Sequence, residues 1–193
     1  MKKVTRESQL LKIAEEIEGC TQCRDGKLGR AVAGEGSAYA EIAFIGEAPG
    51  KEEAKVGRPF IGRSGKFLRS MIREMGLEEK EVFITSPVKY LPRRGTPTKA
   101  DIAHGRGHLF QQLAIVDPKI IVLLGNVASW AVLDRKVSAS REHGETIKDG
   151  DKTYLITFHP AAAMRFPKIR KEFIDDFEKL KLLLHSPLSD PVT

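Results

Sequence analysis

Cysteine is nearly missing from this chain: Cys20 and Cys23 are the two in 193 residues, too few for the disulfide framework of a secreted scaffold. Their spacing suits half of a metal site or a redox pair. Long apolar runs are missing too. No stretch approaches the ~18–20 apolar residues of a membrane span, and Lys12, Glu15 and Glu16 interrupt the apolar core that a signal peptide would need. A cytoplasmic chain with no membrane partner is therefore expected. There is no acidic excess: 32 Lys and Arg against 26 Asp and Glu leave a net charge of +6, which favours a polyanionic partner but also serves as a plain solubility feature. Repeats and low-complexity blocks are absent as well. With 41% hydrophobic residues the chain supports one core of ordinary size, so a single domain is expected over residues 1–185. Residues 186–193, with two prolines, read as a loose tail.

Four short β-branched or aromatic runs, at 41–46, 82–86, 120–125 and 154–158, have strand character. Helical periodicity marks 8–18, 64–75, 99–115, 127–133 and 168–184. Strands alternating with helices predict a mostly parallel sheet covered on both faces. The polar stretch 134–152 reads as a surface excursion. The chemistry-bearing residues fall at the predicted strand ends: Glu47, Ser86-Pro87, Asn126 and His159-Pro160. Ligands of open α/β sheets bind at that edge, so these four ends are expected to face one cleft.

Residues 46–62 carry the densest signal. Gly46-Glu47-Ala48-Pro49-Gly50 sets a carboxylate on a rigid turn, and Gly57-Arg58-Pro59-Phe60-Ile61-Gly62 holds an aromatic ring on a second turn. Acid, ring and bare backbone are expected to converge on one small planar guest. The segment from Gly57 to Ser64 nearly spells a phosphate-binding loop, but Arg63 stands where that loop needs lysine and Pro59 removes a backbone donor. A tight turn capping a helix at Ser64 is the simpler reading. Glu47 or His159 alone would read as a solvated turn carboxylate or a structural histidine; their company makes them candidates.

With Cys20-Thr21-Gln22-Cys23, Ile84-Thr85-Ser86-Pro87-Val88-Lys89 and His159-Pro160-Ala161-Ala162-Ala163-Met164-Arg165 added, the chain resembles the family 4 uracil-DNA glycosylases from Cys20 to about Leu184. The resemblance implies a three-layer α/β/α fold with a central four-stranded parallel sheet. It also implies monofunctional hydrolysis of the N-glycosidic bond of uracil in DNA, by an enzyme working as a monomer. In that reading Phe60 stacks on a flipped uracil and His159 bonds the pyrimidine O2. Glu47 faces the deoxyribose, where positive charge develops, and positions or polarises the attacking water, and Glu53 also positions water. Backbone at Gly46 and Ala48 and the side chain of Ser86 contact the base. Met164 wedges into the duplex beside Pro160 and Arg165, and Arg58, Lys66, Lys89, Arg93 and Arg94 meet phosphates.

Two departures stand out. The family's [4Fe-4S] cluster uses four cysteines, and Tyr90 and Gly105 occupy the positions of two, so the cluster as normally ligated is expected lost. No metal, with Tyr90 packed over the gap, is the favoured expectation. Cys20 and Cys23 with His104 and His108 as a Cys2His2 zinc set is a second reading, and a cluster with non-cysteine ligands a third. The other departure is Ser86, which replaces the asparagine that reads the uracil edge, so a lower rate, relaxed base choice, or both are expected. The rival readings are a DNA-binding member without turnover, or a glycosylase for hypoxanthine or xanthine.

Overall fold

A computed structural model describes residues 4–185; the predicted tail at 186–193 lies outside them. In chain order the elements are α1 (Arg6–Gly19), α2 (Thr21–Arg24), β1 (Lys27–Leu28), β2 (Glu35–Gly36), β3 (Ile42–Ile45), α3 (Lys51–Val56), α4 (Arg63–Glu74), β4 (Phe83–Thr85) and β5 (Leu91–Pro92). Then come α5 (Lys99–Val116), β6 (Ile120–Leu124), α6 (Asn126–Leu133), α7 (Ala139–Glu142), β7 (Thr146–Asp149), β8 (Lys152–Thr157), α8 (Pro160–Arg165) and α9 (Pro167–His185). The main sheet has the order β2-β4-β3-β6-β8-β7. Its four central strands are parallel, as expected.

The predicted four-stranded parallel centre is present, and β2 and β7 extend it to six strands by pairing antiparallel at its two edges. Neither edge strand has an apolar pattern: β7 is largely exposed and β2 is two residues long. Both are held by ladder hydrogen bonds that composition does not announce. The polar excursion at 134–152 thus contains α7 and one of these edges.

The central strands are buried on both faces, and alternation sorts their side chains. Ile42, Phe44, Val122, Leu124 and Leu155 meet Leu68 and Ile72 of α4 and Phe173 and Phe177 of α9. Ala43, Ile45, Ile121, Leu123 and Ile156 meet Leu109 and Leu113 of α5 and Ala128 of α6. A smaller cluster of Ile13, Ile17, Cys23 and Tyr90 lies under α1.

Lys89 departs most from its predicted role. It is 1% exposed, and its Nζ donates to the Ala33 carbonyl (3.0 Å), Thr85 Oγ1 (2.7 Å) and Gln112 Oε1 (2.7 Å). Burial pushes its pKa down to about 7. It therefore makes no phosphate contact; it ties the loop before β2, the end of β4 and α5 into one knot. A Lys89→Ala variant removes three methylenes and the ammonium, and takes one donor from each of three acceptors. Its expected loss of stability is about 3–5 kcal/mol, read by urea denaturation; a loss below about 1 kcal/mol would show the knot to be dispensable.

Candidate active site

Three of the four strand ends converge as predicted. Glu47 after β3, Ser86 after β4 and His159 after β8 line one cavity of about 350 Å³, together with Ala48, Gly50, Glu53, Phe60 and Ala161. Asn126 does not join them. Its Oδ1 accepts the Ala139 N–H at 2.8 Å, fastening α7 instead.

Phe60 sits at φ +50°, a left-handed conformation uncommon for a bulky residue and kept only where neighbours enforce it. Here the enforcement is visible. Glu53 Oε1 accepts the N–H groups of Ile61 (2.9 Å) and Gly62 (2.8 Å), while Arg69 donates to the carbonyls of Phe60 (2.9 Å) and Pro59 (2.8 Å). Arg69 is itself buried and paired with Glu79 and Glu35. Glycines make the remaining room: a Cβ at Gly46 would lie 2.6 Å from the Phe60 ring, and one at Gly65 2.0 Å from the Phe60 carbonyl carbon.

These contacts revise several roles. Glu53, 8% exposed, lines the cavity but holds the Phe60 turn and caps α4 with its bonded oxygen, which argues against water-positioning. Helix α4 accordingly starts at Arg63 with Gly62 as its cap, not at Ser64. The Gly46 N–H is not free for a base, since it donates to the Thr85 carbonyl at 2.8 Å; Gly46 also supplies room through its missing Cβ. Arg69 escaped the sequence analysis altogether. Its signal was a charged residue inside the apolar stripe of Leu68, Met71 and Ile72, where burial demands partners.

His159 is the N-cap of α8, and its Nδ1 accepts the Ala161 N–H at 3.2 Å. That bond fixes the tautomer: the proton of the neutral ring is on Nε2. Burial pushes the pKa down to about 4, so at neutral pH the ring is an uncharged Nε2–H donor. Its centroid lies 6.2 Å from that of Phe60, with the planes 32° apart. Burial alone raises the Glu47 carboxyl above its ordinary value. The site thus offers an aromatic face, one neutral imidazole donor and one carboxylate of raised basicity.

Ser86 is 6% exposed and donates its hydroxyl proton to the Val88 carbonyl at 2.8 Å. Only its lone pairs remain for a guest, so its one donor is already used.

The predicted DNA contacts divide. Pro92 and Gly95 line the cavity and carry the exposed Arg93 and Arg94 between them at its lip. Met164 and Arg165 line an adjoining groove with Lys51, Arg63 and Ser64; Lys51 and Arg63 were missed, although both flank the Gly-rich turns. Lys66 is exposed on α4. Arg58 is held by Glu35 in a two-pronged pair at 2.8 and 2.7 Å, so it is not a free phosphate ligand. Pro160 is buried at the first turn of α8, where its fixed φ starts the helix, and it does not face solvent.

The four-thiolate cluster does not fit this chain. Tyr90 is buried, and its hydroxyl donates to the Glu18 carbonyl at 3.2 Å. A Cβ at residue 105 would stand 2.0 Å from the Pro87 carbonyl oxygen. The structure instead brings Cys20, Cys23, His104 and His108 together, with one donor atom from each within 4.8 Å of the others.

The chain has counterparts among known sequences. A type-4 uracil-DNA glycosylase of Sulfurisphaera tokodaii is 39% identical over 189 residues, covering 92% of this chain and 86% of that protein. One of Thermotoga maritima is 38% identical over 184 residues, covering 92% and 95%, and one of Saccharolobus solfataricus 38% over 186, covering 90% and 86%. The family model described as the uracil DNA glycosylase superfamily matches residues 33–181, a span that contains Glu47, Phe60, Ser86 and His159. By these matches and the fold that presents those four side chains, the chain belongs to the uracil-DNA glycosylase superfamily, in its type-4 branch.

Proposed function

We propose that this protein hydrolyses the N-glycosidic bond of deaminated bases in DNA, chiefly uracil, and so initiates base excision repair. The observation that carries this reading is the convergence of Glu47, Phe60 and His159 on one cavity. A base within a duplex is out of reach, so the nucleotide must be everted, and stacking plus hydrogen bonds offset the cost of a few kcal/mol. Phe60 supplies the stacking face. The Nε2–H of His159 meets the pyrimidine O2, where negative charge grows as the bond breaks. Glu47, ionised, faces the sugar, stabilising the oxocarbenium-like centre and orienting water toward it. Among the described residues no lysine lines the cavity, which supports direct hydrolysis over Schiff-base lyase chemistry.

Arg93, Arg94, Lys51, Arg63 and Arg165 border the opening, and their charge suits phosphates on either side of an everted nucleotide. Met164, exposed at the groove, suits the gap that the base leaves. Among the described residues no helix is long and apolar enough to cross a membrane, in keeping with the proposed cytoplasmic setting.

The test is incubation with labelled duplexes carrying uracil opposite guanine, uracil opposite adenine, hypoxanthine or xanthine, followed by alkaline cleavage of abasic sites. Strand breaks at uracil support the reading; binding without breaks at any base would replace it with a DNA-binding role. The Ser86 hydroxyl, turned to Val88, favours broad base choice, because an acceptor alone cannot tell uracil N3–H from similar edges. A Ser86→Asn variant, adding a paired donor and acceptor, is expected to raise kcat/KM on uracil about tenfold, the worth of one added hydrogen bond. An unchanged value would show that this edge of the cavity does not meet the base.

A further inference from the structure

The geometry points to a mononuclear zinc site built by Cys20, Cys23, His104 and His108, replacing the iron-sulfur cluster rather than leaving a gap. Tetrahedral zinc with two sulfurs near 2.3 Å and two nitrogens near 2.0–2.1 Å implies ligand separations of about 3.3–3.8 Å. The four donor atoms here already lie within 4.8 Å of one another, and Cys20 Sγ is 3.1 Å from His104 Nε2. Small side-chain adjustments would close the tetrahedron.

Three further observations agree. The Cys23 N–H donates to Cys20 Sγ at 3.2 Å, so the turn between them already directs backbone toward sulfur. His108 Nδ1 is the buried side-chain nitrogen or oxygen without a hydrogen-bond partner among the described residues, and buried imidazole nitrogens are normally paired. The pattern Cys-x2-Cys with His-x3-His matches the spacing of structural zinc sites, where helix periodicity puts two imidazoles on one face. His104 and His108 flank Gly105 on α5, so the ligands have moved to either side of the position that Pro87 closes to a cysteine.

A binuclear iron-sulfur cluster with two histidines puts both sulfurs on one iron and both imidazoles on the other. Bridging sulfides would then hold the two pairs apart, unlike the 3.1 Å approach of Cys20 to His104. Soft sulfur with imidazole in a closed tetrahedron selects zinc. The ion would staple α2 to α5, beside Tyr90 of the segment that leads into β5 and the Arg93-Arg94 lip. Its task is structural, 

since none of the four ligands lines the cavity of Glu47 and His159.

The untagged full-length protein, stripped of metal under reducing conditions, is titrated with cobalt(II). The expected result is an intense tetrahedral ligand-field spectrum with thiolate charge transfer, saturating at one cobalt per chain and bleached by one equivalent of zinc. Zinc should raise the thermal midpoint of the stripped protein by about 5–10 °C, the effect of a ligand present at about 100 times its Kd. His104→Ala and His108→Ala are expected to lose the tetrahedral spectrum while keeping the far-ultraviolet dichroism of the parent. Folded parent protein that shows no saturable tetrahedral spectrum overturns the proposal. So does a His104→Ala/His108→Ala double variant that retains it, or protein that purifies with iron-sulfur absorption. None of these readouts depends on glycosylase turnover.

Discussion

Glu47→Gln is expected to lower the single-turnover rate of uracil excision about 1,000-fold, within the range of about 10²–10⁴ for a group that activates a nucleophile by accepting a proton. The amide fills nearly the same space, so the fold and the affinity for uracil-containing DNA should persist. What disappears is the negative charge opposite the developing sugar cation. The pH profile supplies a second check. Burial raises the Glu47 pKa above its ordinary value, and the ionised form is the active one, so the rate should climb with pH through that raised value and then level off. The His159 pKa, depressed to about 4, leaves the ring neutral over most of that span, so the acid limb belongs to Glu47. A Glu47→Gln variant with near-parental rate, or with the same acid limb, would remove the carboxylate from the mechanism.

His159→Ala is expected to slow the same step about 100- to 1,000-fold, the usual effect of deleting one preorganised donor to a developing anion. The size follows from preorganisation. The Ala161 N–H already holds Nδ1, so the Nε2 proton is in place before the base arrives and no rearrangement is needed as charge builds. Stability offers an independent reading of the same residue. A histidine whose folded pKa is about 4 against an ordinary 6.5 binds fewer protons folded than unfolded between those values. Its contribution is therefore complete above pH 6.5 and fades as pH falls toward 4. The alanine variant should lose that part of the acid sensitivity, as thermal midpoints across this range would show. Loss of activity without any change in the midpoint profile would leave the donor role intact but place His159 in a wetter setting than the fold gives it.

The legible parts of the molecule were those whose cause is local. Runs such as Ile120 to Leu124 read as buried parallel strands because every residue is apolar and mostly β-branched or long. Glu47 and His159 were legible because each ends such a run, and sheet ends are where an α/β fold places its ligands. Phe60 was legible through its two flanking Gly/Pro turns. The edges β2 and β7 were not, since their polar residues pair through backbone alone.

Charged residues were where local reading failed. Lys89, Arg58 and Glu53 have the composition of a basic loop and an acidic helix start. Their functions depend on partners outside their own segments: Ala33 and Gln112 for the lysine, Glu35 for the arginine, the Phe60 turn for the glutamate. Arg69 was invisible for the same reason. A charge is compatible with either solvent or burial, and only the approach of acceptors decides which.

The sequence by itself determined the alternation of strands and helices, the residues at the strand ends and the impossibility of a four-cysteine cluster, because periodicity, turn chemistry and a count of thiols are properties of order along the chain. The tertiary structure alone decided which cations are already paired, that Glu53 clamps a turn while burial raises the Glu47 carboxyl, and that two cysteines meet two histidines. Those outcomes rest on distances of a few ångströms between residues separated along the chain, set by the packing of α1 and α2 on α5 and by the burial that shifts proton affinity at Glu47 and His159.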